Sequence, residues 1–105
     1  AISSFKEGYE KLNYVSGLAS IGNIYATSLK DYKKAIKWYK KAHTKGHINS
    51  TYNIAYTYQY DLKDKENAII WYKKAVDLGD IGAKEKLKEL GVTYEKWYSH
   101  RKSLF

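Results

Sequence analysis

Apolar and aromatic residues recur along this chain at steps of three and four, the spacing of one helical face. Phe5, Tyr9 and Leu12 make the first stripe, opened by Ser4-Phe5-Lys6-Glu7, a capping box that can satisfy free first-turn amides. They predict a short helix over about 5–13. Leu18, Ile21, Gly22 and Tyr25 predict another over about 15–28. Ala35, Trp38, Tyr39 and Ala42 predict a helix over about 32–45, with Asp31 as N-cap and Gly46 at the left-handed C-terminal position. Ile54, Ala55 and Tyr58 mark a helix over about 48–60, ending at the turn Asp61-Leu62-Lys63. Ala68, Trp71 and Ala75 mark the next, about 65–78, between Asp64 and Gly79. Asp80 then opens a helix with Leu87 inward, and Gly91 closes it. Thr93 caps a last short helix from Tyr94 to about His100. Proline is absent and no stretch alternates like a strand, so the chain reads as all-α with about six helices.

A repeat underlies the pattern. Ala35-Ile36-Lys37-Trp38-Tyr39-Lys40-Lys41-Ala42, closed by Gly46, returns as Ala68-Ile69-Ile70-Trp71-Tyr72-Lys73-Lys74-Ala75, closed by Gly79, at an offset of 33 residues. Ile21, Gly22 and Tyr25 are answered by Ile54, Ala55 and Tyr58, so the repeat covers two helices. A helical Gly costs roughly 1 kcal/mol relative to Ala. Gly22 beside an apolar stripe therefore implies a close approach of two helices. One domain, residues 1–105, is expected: a partial unit over 1–13, repeats over about 15–46 and 48–79, and a capping unit over 80–105. In the last, Tyr94-Glu95-Lys96-Trp97-Tyr98 arrives about seven residues early, the abbreviation expected of a terminal cap.

These residues resemble the Sel-1-like repeat, a relative of the tetratricopeptide repeat. The likeness rests on Tyr52-Asn53-Ile54-Ala55-Tyr56-Thr57-Tyr58, then Asp64, the Ala68 to Ala75 motif and Gly79-Asp80, and again on Ala19 to Gly46. The loops Leu29-Lys30 and Asp61-Leu62-Lys63 depart from the family in being short and lacking its usual Gly. The resemblance implies a right-handed superhelix of antiparallel helix pairs that holds proteins together or holds one partner. It implies no catalysis.

Composition sharpens the picture. Hydrophobic residues at 44% suffice for a core, and twelve Tyr against two Phe give much of that area a polar handle. Nineteen Lys and Arg against eleven Asp and Glu leave +8, a balance that favours acidic partners. A single Arg, Arg101, argues against planar recognition of phosphate or guanine, and hence against nucleic acid. No cysteine is present, so disulfides and thiolate metal sites are excluded. No apolar run is long enough to span a membrane. Ala1 in place of Met reads as a processed or truncated start: periplasmic or secreted if a signal was removed, otherwise cytoplasmic.

Candidate chemistry is sparse. His43 and His47 have the i, i+4 spacing of two metal ligands, but Gly46 intervenes and Lys41 and Lys45 surround them. They read as surface residues at helix termini. Ser99 and His100 are adjacent and do not face each other on a helix. No metal, cofactor or small-molecule substrate is expected, and no enzyme. Trp38 and Trp71 read as core residues welding neighbouring pairs, with Ile21, Gly22, Tyr25, Ala35, Ala42, Ile54, Ala55, Tyr58, Ala68, Ala75 and Leu87. Lys33-Lys34, Lys40-Lys41 and Lys73-Lys74 read as a solvated face, which the resemblance makes the convex one.

With Ile54, Ala55 and Tyr58 inward, Asn49, Tyr52, Tyr56, Gln59 and Tyr60 project to the opposite, concave side. Ser16, Ala19, Asn23, Ala26 and Thr27 precede them there as a small-residue floor, and Glu85 and Glu89 follow. Tyr offers large contact area at low entropic cost. The chain therefore reads as a monomeric module that grips an acidic protein or peptide in its concave groove. An inhibitor of one partner, such as a toxin-neutralising immunity protein, fits two to three repeats. A fragment of a longer structural scaffold is the competing reading.

Overall fold

The computed structural model describes the backbone over residues 2–92 and the side chains over 14–92. Five α-helices follow one another: α1 (Ile2–Thr27), α2 (Tyr32–Thr44), α3 (Ile48–Tyr56), α4 (Lys65–Asp77) and α5 (Ile81–Glu89). A π turn over Thr57–Asp61 continues α3. No strand occurs among the described residues.

Two expectations change here. The helices expected over 5–13 and 15–28 are one, because nothing between Leu12 and Val15 stops a helix and the chain has no proline to do so. Ser4 lies inside that helix, which begins at Ile2, so it does not cap it. The side chains of Phe5, Tyr9 and Leu12, and the whole Thr93-capped helix from Tyr94 to His100, lie outside the described residues.

The ends of the helices repeat at the same offset as the sequence. Asp31, Asp64 and Asp80 each accept from the backbone N–H three residues on, at 3.2, 3.1 and 3.2 Å. At the other ends, His47 N–H donates to Ala42 O and Asp80 N–H to Ala75 O, closing the turns around Gly46 (φ 84°) and Gly79 (φ 104°). Asp31 N–H to Tyr25 O and Asp64 N–H to Tyr58 O close the intervening loops. There Lys30 and Lys63 hold positive φ of 51° and 55°, left-handed backbone that favours Gly.

Short connections fold each helix back on the one before, so that α1 packs on α2, α2 on α3, α3 on α4 and α4 on α5. Ala35, Ala42, Ala68 and Ala75 are fully buried, and their small side chains let the helix axes approach. Three clusters form the core. Leu18, Ala19 and Ala42 hold the first; Ala35, Ile36, Tyr39 and Ile54 the second; Ala55, Ala68, Tyr72, Ala75, Ala83 and Leu87 the third. Tyr58 and Trp71 pack against both the second and the third, tying the α1/α2 pair to α3/α4. The result is an all-α repeat superhelix.

The buried aromatics are Tyr39 and Tyr72, at 3% and 0% exposure, while Trp38 and Trp71 are only half-buried. The lysines explain the second half of that observation. Lys41 Nζ stands 4.2 Å from the Trp38 ring, and Lys40 and Lys74 stand 5.4 and 5.3 Å from Trp71. Each indole thus presents one part to the core and another to ammonium groups. Of the remaining expected core positions, Gly22, Ile54, Ala55 and Leu87 are buried, and Ile21, Tyr25 and Tyr58 half-buried.

Candidate functional site

The exposed aromatic surface begins on α3. Tyr52 and Tyr56 are one turn apart and stack with ring centroids 6.4 Å apart and planes at 30°. A continuing α-helix would carry the next residue of that series progressively around the axis. The π turn winds more residues per turn, and so returns Tyr60 over Tyr56, at 4.5 Å between centroids. A ladder of three rings results. Tyr52 is half-buried, whereas Tyr56 and Tyr60 are 45% and 37% exposed.

The ladder leans on Tyr72, which meets Tyr52 edge-on at 5.5 Å. Tyr72 OH donates to Gln59 Oε1 at 2.6 Å, so Gln59 is occupied in holding a core tyrosine. Burial, then the neighbouring phenols, push the Tyr72 hydroxyl well above its ordinary range, and burial raises Tyr52 too. Both stay protonated. At the far end Lys86 Nζ donates to Tyr60 OH at 2.7 Å, approaching the phenol from its oxygen end. That bond holds Lys86 above the ordinary lysine range. Lys86 also pairs with Glu89 at 3.4 Å, and Lys88 with Glu85 at 3.8 Å, so charge on α5 cancels locally.

The other expected concave residues divide. Asn23 is exposed, and its Oδ1 accepts from Tyr39 OH at 2.5 Å. Thr27 Oγ1 donates to Asn23 O at 2.7 Å. Asn49 is exposed at the start of α3. Ala19 is buried against Leu18 and Ala42, so it belongs to the core and not to a groove floor; Ala26 packs on the second cluster. The surface the structure assembles is therefore Tyr52, Tyr56 and Tyr60 with Lys86, a cation the sequence pattern had not singled out. Its place one face-turn from Glu89 was the available signal.

The histidines separate as well. His47 Nδ1 accepts from Ser50 N–H at 3.2 Å and caps α3, standing 33 residues before Asp80 and doing the same work. His43 is not a surface residue. It is half-buried between helices, 2.7 Å from Thr51 Oγ1 and edge-on to Trp71 at 5.0 Å. Burial, and then Lys74, hold its pKa below the ordinary value. Both imidazoles meet a hydroxyl, His43 that of Thr51 and His47 that of Ser50, each at 2.7 Å, but Ser50 and Thr51 are fully buried. The tyrosine surface offers flat, amphipathic area instead.

No curated protein and no solved structure matches this chain. Two family models do. Residues 48–80 match the Sel1 repeat and residues 15–42 match the tetratricopeptide repeat. Repeats of both kinds are generally protein–protein interaction modules. The chain thus carries one repeat that matches the Sel1 model and one that matches the tetratricopeptide model, as a Sel1-like, tetratricopeptide-like reading expects.

Proposed function

We propose that this chain is a non-catalytic module that binds one protein or peptide partner along the face of α1, α3 and α5, with Tyr52, Tyr56 and Tyr60 as anchors. The exposed tyrosine ladder carries this reading. Three rings in contact order one another before any partner arrives, so little entropy remains to be lost on docking. On this reading Asn49, Asn23, Thr27, Glu85 and Glu89 supply the polar rim of the interface. A net charge of +8 favours a partner of acidic character. A small interface of this kind suits a monomeric inhibitor of a single protein, such as an immunity protein that neutralises a bacterial toxin.

Affinity capture from the native host, with the captured protein then purified and rebound, tests the reading. Tyr56→Ala/Tyr60→Ala removes two exposed rings and leaves the core clusters intact. The expected result is loss of the partner with an unchanged melting curve. Equal recovery of that partner by the double variant would sink the tyrosine face as its site.

A further inference from the structure

Four exposed lysines gather on a surface apart from the tyrosine ladder. Between α2 and the end of the π turn runs an open groove of about 690 Å³. Lys33, Lys37, Lys40 and Lys41 stand along its α2 wall, all exposed. Eight residues of helix spread them over about 12 Å. The floor is apolar: Ile36 is 5% exposed, and Tyr58 and Leu62 are half-buried. Among the described residues Asp64 is the only carboxylate on this lining. Its oxygens already accept from Asn67 N–H and Nδ2 at 3.1 and 2.7 Å, which pulls its pKa below the ordinary carboxylate value.

We propose that this groove docks an acidic peptide segment carrying apolar anchor side chains, on a surface separate from the tyrosine ladder. Charge complementarity selects the acidic part: four lysines border the groove, whereas Lys86 and Lys88 of α5 are paired with Glu89 and Glu85. The recessed floor selects the apolar part. Ile36 sits below the ammonium groups, where a protruding leucine or phenylalanine can reach and a flat bilayer cannot. Lysine without arginine supplies point charges and no planar fork, which suits carboxylates on a flexible chain better than bases or phosphates held in register. The inference stands independently of the tyrosine reading.

The intact chain is titrated, by fluorescence anisotropy, with a labelled synthetic peptide of leucine and glutamate at helical spacing. Saturable binding that weakens as salt rises is expected. Lys33→Glu/Lys37→Glu, at two exposed positions, should weaken it roughly tenfold, since two attractions become repulsions. The same peptide with alanine for leucine should lose a comparable factor. Tyr56→Ala/Tyr60→Ala should leave binding unchanged. Failure of the leucine peptide to bind, indifference to the lysine reversals, or equal binding of the alanine peptide overturns the proposal. So does loss of binding in the tyrosine variant, which would place the peptide on the ladder. Binding of phosphatidylserine vesicles or duplex RNA in preference to the peptide overturns it in favour of a flat anionic surface.

Discussion

Gly22 lies directly beneath the ring of Tyr39: a methyl group on it would stand 2.7 Å from both Cδ1 and Cε1. The hydroxyl of the same ring reaches Asn23, the very next residue. In the following pair Tyr72 sends its hydroxyl to Gln59, four residues beyond Ala55, and there a methyl group is accommodated. Gly22→Ala should therefore destabilise the fold. Overpacking of about 1–3 kcal/mol against a buried ring outweighs the roughly 1 kcal/mol gained in helix propensity. Gly17, in the same helix, has nothing within 4 Å of such a methyl group. Gly17→Ala should stabilise by about 1 kcal/mol. Urea unfolding of the two variants checks the contrast, and a shift of the same sign in both would refute it.

Tyr72 should matter more to stability than its indole neighbour Trp71. Tyr72 is fully buried, while Trp71 gives part of its ring to Lys40 and Lys74. Tyr72→Ala should cost about 3–5 kcal/mol, and Trp71→Ala clearly less. Tyr72→Phe keeps the ring and deletes only the bond to Gln59, at a cost of about 1 kcal/mol. Thermal denaturation ranks the three. Trp71→Ala emerging as the most damaging would mean that the indoles, and not the phenols, carry the core.

The difference between those two residues marks where the sequence stops being legible. Caps and closures could be read because they are local: Asp31, Asp64 and Asp80 each sit just before a periodic stripe, and Gly46 and Gly79 just after one. Trp71 and Tyr72 are adjacent, and which of them turns fully inward depends on how α4 leans on α3, a property no spacing contains. Near Asn13 no residue supplies a stop signal, and α1 runs straight through the expected break. The π turn is equally silent, since Thr57-Tyr58-Gln59-Tyr60 holds no breaker. For the candidate site, helical period places Tyr56 and Tyr60 on one exposed face, but the engagement of Asn23 and Gln59 by core hydroxyls appears only once helices meet. The lysine-bordered groove has walls from α2 and the π turn, so half of it is invisible in either segment.

Lys30 and Lys63 occupy left-handed backbone that a side chain enters at a cost of roughly 1–2 kcal/mol. Glycine removes that cost but loses more freedom on folding. Lys30→Gly and Lys63→Gly are each expected to stabilise by about 0.5–1 kcal/mol, and to add in the double variant, since the loops are a full repeat apart. Chemical denaturation measures this. Lys→Ala at the same sites keeps the strained φ with a side chain and should give no gain; equal stabilisation by Ala and Gly would show that charge, not backbone, was relieved.

His43 gives the fold a pH dependence of definite sign. Its folded pKa is lowered from 6.5, first by burial among Thr51 and Trp71 and then by Lys74. Above 6.5 the imidazole is neutral in both states and the packing is kept in full. As pH falls through that value the unfolded chain takes up the proton and the folded one does not, so stability declines until the folded His43 is protonated as well. His43→Gln keeps a polar group of similar reach toward Thr51 and cannot titrate. Melting temperature should drop for the native chain between neutral and mildly acidic pH, and the slope should flatten in His43→Gln. An NMR titration placing the His43 midpoint at or above the ordinary value would reverse the sign and remove the explanation.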